Sequence, residues 1–123
     1  MRYLTDRKRA IGKGASGTGT EHHWRMTVSA AGLAILAPAY VFIFGHALGS
    51  GYERAHSIFS HPLAAIITAV TLLVGLDHFR RGAQMAIEDY LDGPRRKIAI
   101  IAVIALSWFL MACGLFALAR IAL

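Results

Sequence analysis

Ile98-Ala-Ile-Ile-Ala-Val-Ile-Ala-Leu-Ser-Trp-Phe-Leu-Met-Ala-Cys-Gly-Leu-Phe-Ala-Leu-Ala119 contains no charged residue. A helix needs roughly 20 mostly apolar residues to cross a hydrocarbon core about 30 Å thick. Two more stretches, Met26 to Tyr52 and Ala55 to Leu76, are uncharged over at least that length. Water is missing from a bilayer core, so the backbone has to satisfy its own hydrogen bonds, which a helix does internally. Runs this long with no sustained period of two do not read as barrel strands. The expected fold is an all-α membrane protein with three transmembrane helices, at about 23–48, 57–91 and 95–121. Residues 22–123 then form one transmembrane domain.

The rest of the composition agrees. Of 123 residues, 56% are hydrophobic and the formal net charge is +6, whereas a soluble domain of this size would alternate polar and apolar faces. The basic residues are unevenly placed. Arg2, Arg7, Lys8, Arg9, Lys13 and Arg25 precede or open the first span, and Arg80, Arg81, Arg95, Arg96 and Lys97 flank the connection between the second and third. Only Glu53 and Arg54 carry charge between the first and second. The positive-inside rule predicts a cytoplasmic N-terminus and a C-terminus on the opposite, periplasmic side. Arg120 opposes this and is outnumbered. Charges that bracket lipid-spanning segments give no reason to expect nucleic acid as a partner. The lone Cys113 has no partner in the chain for a disulfide or a thiolate cluster, and it reads as a small hydrophobe in a packed helix.

Residues 1–21 are basic and contain Gly, Ser and Thr, which suits a flexible tail. The apolar run that follows is too long for a secretory signal. The Gly-rich stretch has no strand before it, which argues against a phosphate-binding loop. Pro38 should kink the first helix, and Gly49-Ser50-Gly51 should end it. The second helix, starting near Ser57 or Pro62 and uninterrupted by proline between Pro62 and Gly93, would reach on the order of 45 Å at 1.5 Å per residue. Its last turns, with Asp89 and Tyr90, should project beyond the hydrocarbon, and Gly93-Pro94 should stop it. Scattered Gly, Ala, Ser and Thr permit close contact between helices, and part of the surface is expected to meet another polypeptide.

The functional reading rests on His78-Phe-Arg-Arg-Gly82-Ala-Gln-Met-Ala-Ile-Glu88-Asp89-Tyr90. At 100° per residue, His78, Gly82, Met85 and Asp89 share one stripe, continued backwards by Val74, Thr71 and Ile67. A glycine one turn past a histidine would let a flat ring such as a porphyrin approach the helix. Ionisable groups in a spanning helix cost about 2.5–3.5 kcal/mol each and are functional candidates. His78 is either a metal ligand or an interhelical hydrogen-bonding residue. Asp77 can pair with Arg80 and Arg81 along the helix, or the arginines can snorkel. Asp89 and Tyr90 are either an interfacial helix end or a proton group and a hydrogen-bond donor for a carbonyl ligand. In His22-His23-Trp24-Arg25, Trp24 and Arg25 suit a membrane interface, and Arg25 also suits a carboxylate.

The pattern His-x3-Gly-x6-Asp-Tyr, then Gly-Pro and a basic start to a third span, resembles the hydrophobic membrane anchor subunits of succinate dehydrogenase (respiratory complex II). It is most similar to the D-type anchors of proteobacteria. The resemblance implies that His78 is an axial ligand of haem b, its iron completed by a ligand from the cytochrome b anchor subunit. It implies that Tyr90, with Asp89 beside it, serves the ubiquinone site. It also implies that Arg25, with His22 or His23, meets the haem propionates. Asp77, Arg80 and Arg81 receive no role from it. With no dinucleotide fingerprint and too few cysteines for iron–sulfur clusters, the chain would depend on flavoprotein and iron–sulfur subunits to oxidise succinate. The rival expectations are a structural or assembly membrane protein, and a small proton-conducting protein without haem.

Overall fold

The computed structural model describes residues 5–7 and 19–123. Most of the expected tail, 1–21, lies outside the described residues. Its last three residues are already helical: α1 runs Gly19–Ala47. Glu21 in the first turn explains the early start. It complements the positive end of the helix dipole and accepts from Arg25 Nη2 at 2.5 Å, one turn on. Pro38 lies inside α1 without ending it.

The connection that follows contains an element not expected from the sequence. Gly49 and Gly51, at φ 74° and 81°, turn the chain into a short helix, α2, Tyr52–Ser60. Half-buried Ala55, Ile58 and Phe59 recur at amphipathic spacing while Tyr52, Glu53 and His56 stay exposed, so one face packs and the other is solvated. Of the two expected starts for the second span, Ser57 and Pro62, the structure takes the later, and Ser57 falls in α2. α3 begins at Pro62 and ends at Tyr90. Proline excludes its predecessor from the helical region, and His61 is extended at φ −67°, ψ 128°. Pro62 itself suits the first helical position, where a missing N–H costs nothing.

α4 runs Gly93–Ala122, two residues earlier than the expected 95, because Pro94 falls in a first turn that tolerates it. Only Leu91 and Asp92 separate α3 from α4. Arg96 ties this turn down: Nε donates to Leu91 O at 2.8 Å and Nη2 to Glu88 O at 3.0 Å. The Glu88 carbonyl is among the last four of α3, which have no partner within the helix, and that of Leu91 lies just past its end.

α1, α3 and α4, of 29, 29 and 30 residues, are long and apolar enough to cross a membrane. At 1.5 Å per residue each exceeds the hydrocarbon thickness by roughly 14 Å, so their ends reach past it. α3 is central. α1 and α4 each pack along it and their backbones stay apart from one another, and α2 contacts all three at one end. This row of helices encloses little. Among the described residues only Ala47, Ala64, Ser107 and Met111 are buried.

Close contact comes from small residues. Gly32 faces Val74 and Gly75 faces Leu33, with 4.0 and 3.9 Å from an added Cβ to the facing side chain. Gly114 of α4 is tighter still, and a Cβ there would overlap Leu72 Cδ2. Gly114→Ala should destabilise the detergent-solubilised protein by about 1–3 kcal/mol through overpacking. Gly45→Ala, at a helix position open on the outside, should hold its thermal midpoint or raise it. A Gly114→Ala midpoint no lower than that of Gly45→Ala would contradict the close α3–α4 contact.

Candidate functional site

α1 and α3 are antiparallel, and their contacts keep one register: Gly32 against Val74, Leu33 against Gly75, Met26 against Gly82. Carried along the helices, this register sets Ser29 opposite His78. Ser29 Oγ lies 2.8 Å from His78 Nδ1, and the same hydroxyl donates to Met26 O at 3.0 Å. His78 is half-buried near the middle of α3. The stripe of His78 and Gly82 therefore faces α1. Next to Gly82 is the Met26 methyl, 3.8 Å from where a Cβ would stand. The ring-sized gap expected beside Gly82 thus borders the end of an unbranched, adaptable side chain, not open space.

One residue earlier, Asp77 closes a three-membered charge cluster. Its Oδ1 accepts from Arg80 Nη2 at 2.5 Å and its Oδ2 from Arg81 Nε at 2.8 Å. The pairing along the helix is what the spacing predicts. What the spacing leaves open is that the arginines diverge. Arg80 turns toward α4, its Cζ 5.8 Å from the Trp108 ring centroid, while Arg81 turns toward α1.

On that side Arg81 joins the residues at the start of α1. A cleft of about 560 Å³ lies between α1 and α3, lined by Trp24, Arg25, Ser29, Asp77 and Arg81 among others. A recess of about 220 Å³ adjoins it, formed by Glu21, His22, Arg25 and Arg81. His22 and His23 part company here. His22 Nε2 is buried with no hydrogen-bond partner, whereas His23 is exposed and its carbonyl accepts from Thr27 Oγ1 at 3.0 Å. An orphaned ring nitrogen beside two guanidinium groups is a setting for an acidic ligand. The Arg25–Glu21 pair, 56% exposed on both sides, is of the kind worth about 0–1 kcal/mol. A second carboxylate can share or displace it at little cost.

Asp89 and Tyr90 close α3 at the same end of the molecule and are both exposed, Tyr90 to 86%. The other histidines are remote. His46 lies seventeen residues past Ser29 on α1, about 25 Å along the axis, and His56 and His61 flank the far connection.

Ser29 and the grouping of Arg81 with Arg25 were missed in the sequence. Ser29 stands one turn past Arg25, a usable signal for a shared face. Its contact with His78 depends on interhelical register.

Residues 1–115 match the family of succinate dehydrogenase/fumarate reductase transmembrane subunits. The chain is 42% identical over 123 residues to the succinate dehydrogenase hydrophobic membrane anchor subunit of Paracoccus denitrificans, covering 100% of this chain and 95% of that protein. No solved structure gives a significant match.

Proposed function

The chain belongs to the succinate dehydrogenase/fumarate reductase transmembrane-subunit family, as a membrane anchor subunit, and from this we propose that it supplies one axial ligand of haem b and part of a ubiquinone-reduction site in a bacterial inner membrane. One observation carries the reading. A ring nitrogen of His78 meets Ser29, a residue that lines the α1–α3 cleft, and Arg25 and Arg81 line both that cleft and the recess that holds His22.

The residues fit such a group. His78 offers one imidazole nitrogen to iron while Ser29 engages the other. Arg25, Arg81 and the unpartnered His22 Nε2 provide donors for two propionate carboxylates. Met26 is the side chain that would adjust beside Gly82. A second ligand for the iron would come from the cytochrome b subunit, with His46, His56 and His61 lying toward the other end of the helices. When bound, haem b supplies a one-electron carrier whose potential its axial ligands set.

Tyr90 stands where α3 clears the hydrocarbon, and its phenol donates to a quinone carbonyl there while the isoprenoid tail stays in lipid. Asp89, about 100° round the helix, stands beside that site and would assist proton delivery to it. Succinate oxidation belongs to the flavoprotein and iron–sulfur partners, because this chain has one cysteine. A proton path through Asp77 is the weaker reading. Both its oxygens are engaged by arginines, which leaves neither free to pass a proton along a relay.

The basic residues before α1 and around the α3–α4 turn support an N-terminus inside and a C-terminus outside, with α2 at the outer surface. A reporter active only in the periplasm should function when fused after Leu123. Activity of the cytoplasm-only reporter at that position would reverse the topology.

His78→Ala should remove the low-spin b-type spectrum from the assembled complex while the helices remain inserted. Unchanged haem content and spectrum would strike His78 from the ligand role. Tyr90→Phe deletes one hydroxyl from an exposed ring, so stability should hardly change. Loss of one hydrogen bond to bound quinone should cost about 1 kcal/mol or more, read as slower quinone reduction, with dye-linked succinate oxidation retained. Full quinone reductase activity in that variant would leave Tyr90 as an interfacial anchor only.

A further inference from the structure

We propose that Ser29 of α1 is the positioning residue for His78: by accepting the Nδ1 proton it selects the tautomer, and the ring orientation, that presents Nε2 to iron. The inference rests on the haem-ligand reading of His78 and assigns the group that makes such ligation possible.

A serine hydroxyl has one proton to donate and two lone pairs with which to accept. The Ser29 proton is directed at Met26 O, 3.0 Å away on the preceding turn of the same helix, the usual back-bonding of a serine within a helix. With that proton committed, the 2.8 Å contact to His78 leaves Oγ as the acceptor and Nδ1–H as the donor. A neutral imidazole carries a single N–H, so the lone pair falls on Nε2. The opposite arrangement, with the hydroxyl donating to Nδ1, would leave the Met26 carbonyl without this donor and put a proton on Nε2, closing it to a metal.

Asp77 is the other acceptor near the ring in sequence, but its two oxygens are taken by Arg80 and Arg81. Ser29 is brought within reach by the glycine contacts of Gly32 with Val74 and Gly75 with Leu33. The hydrogen bond is therefore a product of the α1–α3 register. Metal-bound histidines almost always donate their second N–H, which fixes the ring and raises its basicity, and losing such a partner typically costs 10–100-fold in affinity or activity.

Three variants of the complete membrane complex test this: Ser29→Ala, Ser29→Val and Ser29→Thr. Valine and threonine have the same shape and differ in the hydroxyl. Ser29→Ala and Ser29→Val should lower haem affinity by roughly 10–100-fold. The haem they retain should have a raised midpoint potential and a changed low-spin electron paramagnetic resonance signal, because a less basic ligand favours the ferrous state. Ser29→Thr should restore the wild-type affinity, potential and spectrum. Threonine and valine variants that agree with each other, both normal or both altered, would overturn the role of the hydroxyl. Haem loss in His78→Ala alongside normal Ser29 variants would sink this inference and leave the ligand reading standing. Retention of haem in His78→Ala would sink both.

Discussion

The antiparallel register of α1 and α3 is the constraint on which the site depends. Gly32 and Gly75 remove side chains at two points of that interface, so the helices approach closely enough for a serine hydroxyl to meet an imidazole at 2.8 Å. Helices immersed in lipid gain little from hiding apolar surface, and their association rests on close packing and interhelical hydrogen bonds. The Ser29–His78 contact supplies a hydrogen bond of that kind between α1 and α3. A slip along this interface would separate Ser29 from His78 and also part Arg25 and His22 from Arg81.

Charge in the middle of a spanning helix is tolerated here because it is shared. Asp77, Arg80 and Arg81 would cost about 2.5–3.5 kcal/mol each if isolated at membrane depth. One carboxylate joined to two guanidinium groups cuts the net charge of the cluster to a single unit. The side chains are 35%, 20% and 16% exposed, so the pairs are neither fully desolvated nor screened like surface pairs. The arginines then part, Arg80 onto the Trp108 face and Arg81 into the cleft beside Arg25. The cluster thus links α3 to its neighbours on both sides and leaves its surplus positive charge near the recess at the start of α1.

A row of three helices with few buried side chains is a part made for an assembly. Ile35, Val41, Phe42, Ile101, Phe109 and Phe116 are all at least 65% exposed. Lipid accounts for some of that surface. An anchor subunit also has to meet the subunits that it holds at the membrane. α2 adds a different surface, half-buried on one face against the ends of the long helices and polar on the other, as expected for a segment at a membrane boundary.

Much of this was legible in the sequence because the governing interactions are local. Uncharged runs, basic flanks and the three-residue and four-residue spacings of Asp77 to Arg80 and Arg81 predict spans and ion pairs without reference to the rest of the fold. The Gly93-Pro94 stop also holds, with proline opening the next helix as well as closing the last. The division at His61-Pro62 was equally local, since proline excludes its predecessor from the helical region, yet the amphipathic α2 before it was overlooked inside a longer apolar pattern. Other features required tertiary structure. Periodicity puts His78 and Gly82 on one face but is silent about what stands opposite, and only the α1–α3 register brings Ser29 and Met26 there. Two adjacent histidines look alike in sequence, and helix rotation half-buries His22, enclosing its Nε2, while leaving His23 exposed. A side chain's neighbours within its own helix follow from 3.6 residues per turn, whereas those across an interface depend on how two separate helices settle against each other.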